Sequence, residues 1–417
     1  MTERKRILFV DDEPNLLRGL RRMLYPMSNE WEMAFMESGK AALAELASKP
    51  YDVVVTDMRM PVMDGAALLA EVRSSYPEIS RIVLSGHSEW ETVMRVIGPA
   101  HQYLSKPCNP ETLKTRLTRT FKLREILGSE KLRKIVSGMS ALPAMPLAYK
   151  CLVEELNSKE SSLDTVAGII SRDIGLSAKI LQLVNSEFFG LAQKISSTAE
   201  AVSYLGLETV RALVLGIDLF ANPDKSPPPN SHFRSIWHHG LITAVLARHI
   251  VQVEAGSREI ADEAFTAGML HDLGKLIIAE NLPEEYEQII ELCQADPQIS
   301  PLDIERQVIG ATHADVGAYL LGLWGLPDPV VEAVALHHTP SHCPDRSFTP
   351  VSAVHVADYL ARTLPGGDDH EPCPCELDSN YLRELGLLEH LNDWRILCQV
   401  TLEERLAREL VLDSSPL

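Results

Sequence analysis

A doubly wound five-stranded parallel α/β sheet followed by an all-α domain is the architecture this 417-residue sequence predicts. Three observations predict it. Short apolar runs alternate with amphipathic segments from Lys5 to about Lys122, the pattern of βα units. Strand signals then stop, and helical periodicity continues to about Leu360. Finally, four of the early runs end in polar residues that would gather at the carboxyl edge of one sheet, where open α/β sheets bind ligands.

The elements follow in order. Ile7-Leu8-Phe9-Val10 reads as the first strand and runs into Asp11-Asp12. Pro14 suits a first helical turn, and Leu16, Leu17, Leu20, Met23 and Leu24 supply the apolar stripe behind it. Trp31 to Met36 is a second strand, and Ala41 to Leu46 a second helix. Val53-Val54-Val55-Thr56 runs into Asp57; Pro61 and Asp64-Gly65 mark a loop before the helical face of Leu68, Leu69 and Val72. Ile82-Val83-Leu84 runs into Ser85, Thr92 to Ile97 is a weaker helix, and Tyr103-Leu104-Ser105 runs into Lys106. Pro110 opens a last helix carrying Leu113, Leu117 and Phe121.

Leu123 to Met139, charged and interrupted by Gly128, reads as a helical connector. Beyond it, Val166, Ile169 and Ile170, then Ile180, Leu181 and Val184, then Val210, Leu213 and Val214 keep helical spacing. Loops fall at Asn222 to Ser231, around Pro227-Pro228-Pro229, at Thr339 to Pro350, and at Thr363 to Glu376. Tyr381 to Leu412 reads as two helices. The expected division is an α/β domain over 1–125, a connector over 126–141, a helical domain over 142–362, and a loop with C-terminal helices over 363–417 packing on it.

Composition narrows the function. A formal net charge of -19 opposes broad nucleic-acid binding. Ser197 to Val214 has a faint helix-turn-helix look, but its second helix, Glu208 to Leu215, offers little beyond Arg211 for reading bases, so DNA is not the expected partner. Seven dispersed cysteines fit reduced thiols, and Cys373-Pro-Cys375 is too tightly spaced for the usual zinc pair. The sequence offers no signal-peptide pattern and no membrane-spanning apolar stretch, so the expected compartment is the cytoplasm, away from the membrane.

Asp57 at a sheet edge could attack a phosphoryl group, Asp12 and Asp57 could hold a dication, and Lys106 and Ser85 could bind the phosphoryl oxygens. Taken singly, Asp11 and Asp12 also suit capping of the helix near Pro14, and Asp57 a loop cap. Their joint placement at strand ends, in this order, favours the phosphoryl site. Val10-Asp11-Asp12-Glu13, Thr56 to Gly65, Leu84-Ser85-Gly86 and Tyr103-Leu104-Ser105-Lys106-Pro107 resemble the receiver domain of bacterial two-component response regulators, a flavodoxin-like fold. The resemblance implies that Asp57 is the phosphoacceptor, supplied by a sensor histidine kinase or phosphotransfer protein. It implies Mg²⁺ on Asp11, Asp12, Asp57 and the backbone carbonyl of Arg59. It further implies catalytic roles for Lys106 and Ser85, a switch pair of Ser85 and Tyr103, and a cis Lys106-Pro107 bond. Gly98-Pro99-Ala100-His101 departs from the family's usual pattern.

In the helical region, histidines and aspartates of the kind that bind iron, manganese or zinc cluster between Trp237 and Tyr359. Neighbouring side chains on a helix point about 100° apart, so His271 and Asp272 could approach one metal only near a bend or end of the helix expected over Glu263 to Leu276. A buried Asp272 needs a partner, either Lys275 or a metal. The alternative is a set of histidines hydrogen-bonded inside a helical core. Gly268 to Lys275, Gly310 to Ala318, Trp324-Gly325-Leu326-Pro327 and His337-His338, with Val184-Asn185-Ser186 and Ala201 to Gly206 upstream, resemble the HDOD output domain, a relative of HD-type phosphohydrolases. That resemblance implies a signalling module acting through protein–protein interaction with a downstream signalling protein. The segment is also similar to HD-GYP phosphodiesterases. The similarity implies metal ligands at His239, His271, Asp272, His313, His337, His338 and Asp358, with iron or manganese bound and Lys275 stabilising phosphate. It departs from them at Ser235, where a glutamate ligand would fall, and at Thr339-Pro340-Ser341-His342, which replaces Gly-Tyr-Pro. The expected function is therefore a phosphorylation-controlled response regulator whose output acts through protein–protein interaction; the alternative is a metal-dependent phosphodiesterase acting on cyclic di-GMP or another phosphoester. Enzymatic turnover and homodimerisation are left open.

Overall fold

The computed structural model describes residues 4–85, 99–106, 108–139, 142, 146–158, 160–186, 189, 191, 193–216, 231–296, 298–365 and 376–413. The chain divides into two compact units. One comprises Met1–Ala141 with Gln182–Lys194 and Tyr319–Leu326; the other comprises Leu142–Leu181, Ile195–Ala318 and Pro327–Leu417. The expected helix over Thr92 to Ile97, Pro107, Pro227 to Pro229 and Cys373 to Cys375 lie outside the described residues.

The first unit is built on strands β1 (Lys5–Val10), β2 (Trp31–Met36), β3 (Val53–Asp57), β4 (Ser80–Ser85) and β5 (Gln102–Ser105). They pair in parallel in the order β2-β1-β3-β4-β5. Alternation along the strands sorts the core into two layers. Leu8, Val10, Val54 and Val83 face α2 (Gly39–Ser48) and α3 (Gly65–Ser75) through Ala42, Leu46, Leu68, Leu69 and Val72. Ile7, Phe9, Val53, Val55, Ile82, Leu84 and Leu104 face α1 (Pro14–Met23) and α4 (Pro110–Ile126) through Leu17, Leu20, Leu113, Leu117 and Phe121. The sheet is therefore covered on both sides, as predicted. Register sets Val10 beside Thr56 across β1 and β3, so Asp11 and Asp57 emerge together at the carboxyl edge, where the strand order reverses.

The connector breaks at Gly128. Helix α4 ends at Ile126, and α5 (Glu130–Gly138) restarts with the Ser129 hydroxyl accepting from the Leu132 amide at 3.4 Å. The far end of α5 is held by a buried arginine at the start of β4. Arg81 donates to the carbonyls of Pro99 (2.6 Å), Pro77 (3.1 Å), Ile79 (3.1 Å) and Ser137 (2.6 Å). His101 Nδ1 accepts from the Arg81 amide at 3.0 Å, so the proton of this neutral ring sits on Nε2, which donates to the same Ser137 carbonyl at 2.7 Å. Burial, and then the charge of Arg81, hold His101 well below the usual histidine range.

The second unit is helical. Its longest described helix packed into the core, Ser231–Glu254, lies against Arg258–Leu270 and Pro350–Thr363. The single helix expected over Glu263 to Leu276 is instead two, Arg258–Leu270 and Leu273–Asn281. The break falls at Asp272, whose backbone (φ -95°, ψ 11°) leaves helical geometry. It lets two consecutive polar side chains share one interior, which an unbroken helix would prevent. Gly274 is required just after it, because a Cβ there would lie 1.9 Å from the carbonyl oxygen of His313. The C-terminal helices Ser379–Glu384 and Leu391–Asp413 pack on this unit: the Tyr381 hydroxyl meets Ser352 Oγ at 2.6 Å, and His249 Nδ1 meets Thr401 Oγ1 at 2.9 Å. Among the described residues, no helix is long and apolar enough to cross a membrane.

Candidate functional sites

The first site lies at the sheet edge. Lys106, just past β5, reaches Asp11 Oδ2 at 2.7 Å and also bonds Asp57 Oδ1. Asp11 is buried, and its Oδ1 accepts from the Glu13 amide at 2.9 Å, so one carboxylate both holds the turn before α1 and binds the ammonium. Asp57 Oδ2 accepts from the Arg59 amide at 2.7 Å. Helix α1 takes Glu13 as its N-cap and has no side-chain capping bond, so Asp11 and Asp12 do not cap it, while Asp57 does turn the following loop. Asp12 and Arg59 are exposed beside the pair. Gly65 closes the loop against β3, since a Cβ there would lie 2.2 Å from the Asp57 carbonyl oxygen. Burial by itself lowers the Lys106 ammonium, but the hydrogen bonds and charges of Asp11 and Asp57 outweigh it and raise its pKa.

Ser85 ends β4 opposite Ser105 of β5, one strand over from Asp57; its side chain is outside the described residues. Tyr103 lies two residues before the end of β5, with its ring packed against the α2–α3 core layer. Its hydroxyl is buried with no hydrogen-bond partner among the described residues, and burial raises it well above the usual phenol range.

The second site lies wholly within the helical unit. His239 comes from the helix Ser231–Glu254, His271 and Asp272 from the helix break, His313 from the start of His313–Leu323, His337 and His338 from the end of Asp328–Leu336, and Asp358 from Pro350–Thr363. All seven expected residues converge; all but His338 are almost fully buried. Three histidines present the same nitrogen. Nδ1 of His271 donates to Gly268 O at 2.7 Å, Nδ1 of His337 to Val334 O at 2.8 Å, and Nδ1 of His313 to Glu305 Oε1 at 2.7 Å. Their Nε2 atoms are left facing inward. His271 Nε2 is 3.3 Å from Asp272 Oδ2 and 3.6 Å from Asp358 Oδ1; His313 Nε2 is 3.3 Å from Asp272 Oδ1, 3.4 Å from His337 Nε2 and 3.2 Å from His338 Nε2. His239 Nε2 meets Asp358 Oδ1 at 2.8 Å. His271 Nε2 and Asp272 Oδ1 are buried without an aligned hydrogen bond.

Charge here is balanced by neighbours. Lys275 Nζ lies 2.9 Å from Asp272 Oδ2. Burial opposes ionisation of both aspartates, yet His271 and Lys275 hold Asp272, and Arg362 and His239 hold Asp358, well below the usual carboxylate range. Burial would lower His271 and His313 as well. Asp272 instead carries His271 up to about 10, and Glu305 carries His313 up to about 9. Burial lowers His239, His337 and His338.

Sequence reasoning missed three participants. Glu305 holds His313 through both its ring and its amide, the latter at 2.7 Å; eight residues upstream on another helix, it carries no local signal. His355 Nδ1 donates to the His337 carbonyl at 2.7 Å, and its Nε2 accepts from the Asp378 amide at 2.9 Å, which fixes the backbone behind His337. Arg362 bonds Asp358 at 2.9 Å and lies 3.4 Å from Asp272; its position four residues after Asp358 was the available clue.

Comparison with known proteins matches residues 7–118 to a response regulator receiver domain and residues 142–340 to an HDOD domain. An uncharacterized protein of Treponema pallidum is 25% identical over 291 residues, covering 69% of this chain and 53% of its own length. The hydrogenase transcriptional regulatory protein HoxA of Cupriavidus necator is 38% identical over 109 residues, 26% of this chain and 22% of that protein. The chain thus spans about half, or less, of these relatives. The crystal structure of the MmoQ response regulator from Methylococcus capsulatus is 24% identical with a TM-score of 0.46, over 61% of this chain and 98% of that one.

Proposed function

For a chain that belongs to the two-component response regulators joining a receiver domain to an HDOD domain, we propose that Asp57 accepts a phosphoryl group and thereby switches an output exerted through protein–protein interaction. The observation that carries this reading is the Lys106 ammonium bridging Asp11 and Asp57 at the sheet's switch point. An Asp57 oxygen attacks the phosphorus of a kinase phosphohistidine. The O–P bond forms as the P–N bond breaks, and the released imidazole takes a proton. Lys106 moves from the carboxylates to the incoming phosphoryl oxygens. Asp11, Asp12 and Asp57 carry three negative charges against one ammonium, which suits a hard dication such as Mg²⁺, with the Arg59 carbonyl as a further oxygen ligand. When bound, that ion supplies neutralisation of the charge gathering at phosphorus.

Ser85 and Tyr103 are the proposed readout. A buried phenol without a partner costs about 1–3 kcal/mol, so an alternative rotamer in which it finds one is within reach once Ser85 is drawn to the phosphoryl group. Acetyl phosphate with Mg²⁺ should add one phosphoryl group to the wild-type chain and none to Asp57→Asn. Equal labelling of both, or none of the wild type, would overturn the reading.

The histidine–aspartate cluster is, in the same reading, a binding site for a divalent transition ion in the output domain. The tied Nδ1 atoms and inward Nε2 atoms of His271, His313 and His337 support it, because that tautomer pattern is how outer partners prepare imidazole ligands. The hydrolytic alternative gains nothing beyond this ligand set, so interaction stands as the output.

A further inference from the structure

We propose that Arg362 is a resident counter-ion of the histidine–aspartate cluster, occupying by charge the place of a divalent metal and holding the cluster's metal affinity down. The inference rests on the metal-site reading and adds its control. Asp272 and Asp358 each complete a ligand group with His271, Asp272 together with His239 and Asp358 together with His337, so a cation touching both carboxylates competes with a metal in either group. Arg362 touches both: Nε lies 2.9 Å from Asp358 Oδ1 and a terminal nitrogen lies 3.4 Å from Asp272 Oδ2. Its side chain is 9% exposed, so water screens this charge little.

Lys275 also touches Asp272, at 2.9 Å, but the two cations differ. Lysine is a point charge on a flexible stem, without the planar fork that can span two carboxylates at once. The guanidinium is planar, permanently charged and fixed between two carboxylates by a helix that supplies Asp358 one turn earlier. The charge inventory agrees. Asp272, Asp358 and Glu305 contribute three negative charges; Lys275 and Arg362 return two of them. Counted in the metal-bound state, where every ligating imidazole has given up its Nε2 proton, one negative charge is left for an ion carrying two positive ones. Without Arg362 the deficit becomes two, which matches one divalent ion. The imidazoles of His239, His271, His313, His337 and His338 meanwhile stay in place, so replacing Arg362 changes the electrostatics and leaves the donor set intact.

The test is Mn²⁺ and Zn²⁺ titration of the chelator-treated full chain by calorimetry, for wild type, Arg362→Met, Arg362→Lys and Arg362→Met with Asp358→Asn. The double variant accounts for any ion held at Asp57. Arg362→Met should bind at least about tenfold more tightly than wild type, Arg362→Lys should fall between the two, and the double variant should lose the gain. If Arg362→Met leaves its carboxylates too exposed to one another to fold, Mn²⁺ should restore its helical circular dichroism; failure to do so overturns the proposal. Wild-type binding that is unchanged or weakened in Arg362→Met would refute the role of Arg362 while leaving the metal site standing. No ion beyond that of the double variant in any protein would remove both.

Discussion

Replacing Arg81 with methionine tests how the connector is held. Arg81 is fully buried, yet among the described residues no carboxylate is a hydrogen-bond partner; its charge is met by four carbonyls. Burial, with Arg73 adding repulsion, pulls it down to about 9, so it is still charged at pH 7. Arg81→Met keeps much of the stem's packing and removes the donors. Four carbonyls, two of them in fully buried bonds, then lose a partner, at about 1 kcal/mol each, for a gross loss of about 4 kcal/mol. Relief from burying a guanidinium without a counter-charge returns part of this, leaving a net cost of about 2–3 kcal/mol. The loss is local, because Ser137 retains only the His101 Nε2 donor, at 2.7 Å. Amide hydrogen exchange over Glu130–Gly138 should therefore accelerate about thirtyfold to a hundred-and-fiftyfold, while β1 and β3 amides change less. Exchange is the suitable assay, since a chain of two units need not unfold in two states. Exchange in this helix within about twofold of wild type would refute the argument that Arg81 clamps the connector.

Two further outcomes follow from buried groups. Tyr103→Phe removes a hydroxyl that is buried without a partner, so the unphosphorylated protein should gain about 1 kcal/mol in urea unfolding and acetyl phosphate should still label Asp57; a loss of stability would show that the hydroxyl is bonded in solution. Burial, reinforced by Glu259, raises Glu263 to about 7, so the folded chain keeps this proton over a range where the unfolded chain has released it. Stability from this group is complete below about pH 4.5 and is lost as pH rises to about 7. Glu263→Gln should flatten that part of the melting-temperature profile; an unchanged slope would assign it to other groups.

What could be read from the sequence follows from the range of the interactions involved. The five strands were legible because β-branched runs bounded by turn residues carry their own signal, and Asp11, Asp57 and Lys106 because each sits at the end of such a run. The break at His271 and Asp272 was not. Residues 263–276 keep helical apolar spacing, and only the carbonyl of His313, from another helix, requires the backbone to pass Gly274 so closely. Glu305 is hidden for the same reason: its partner is eight residues away and on a different helix. The segment that departed from its family's pattern shows the two ranges meeting. Pro99 and His101 gain a reason only when Arg81 is seen to be buried, since the Pro99 carbonyl accepts from Arg81 and the His101 ring donates to the same Ser137 carbonyl that Arg81 binds. An arginine opening a strand reads in sequence as a solvated edge. Here three separate segments replace that water, so a change at any of them should be felt at the other two.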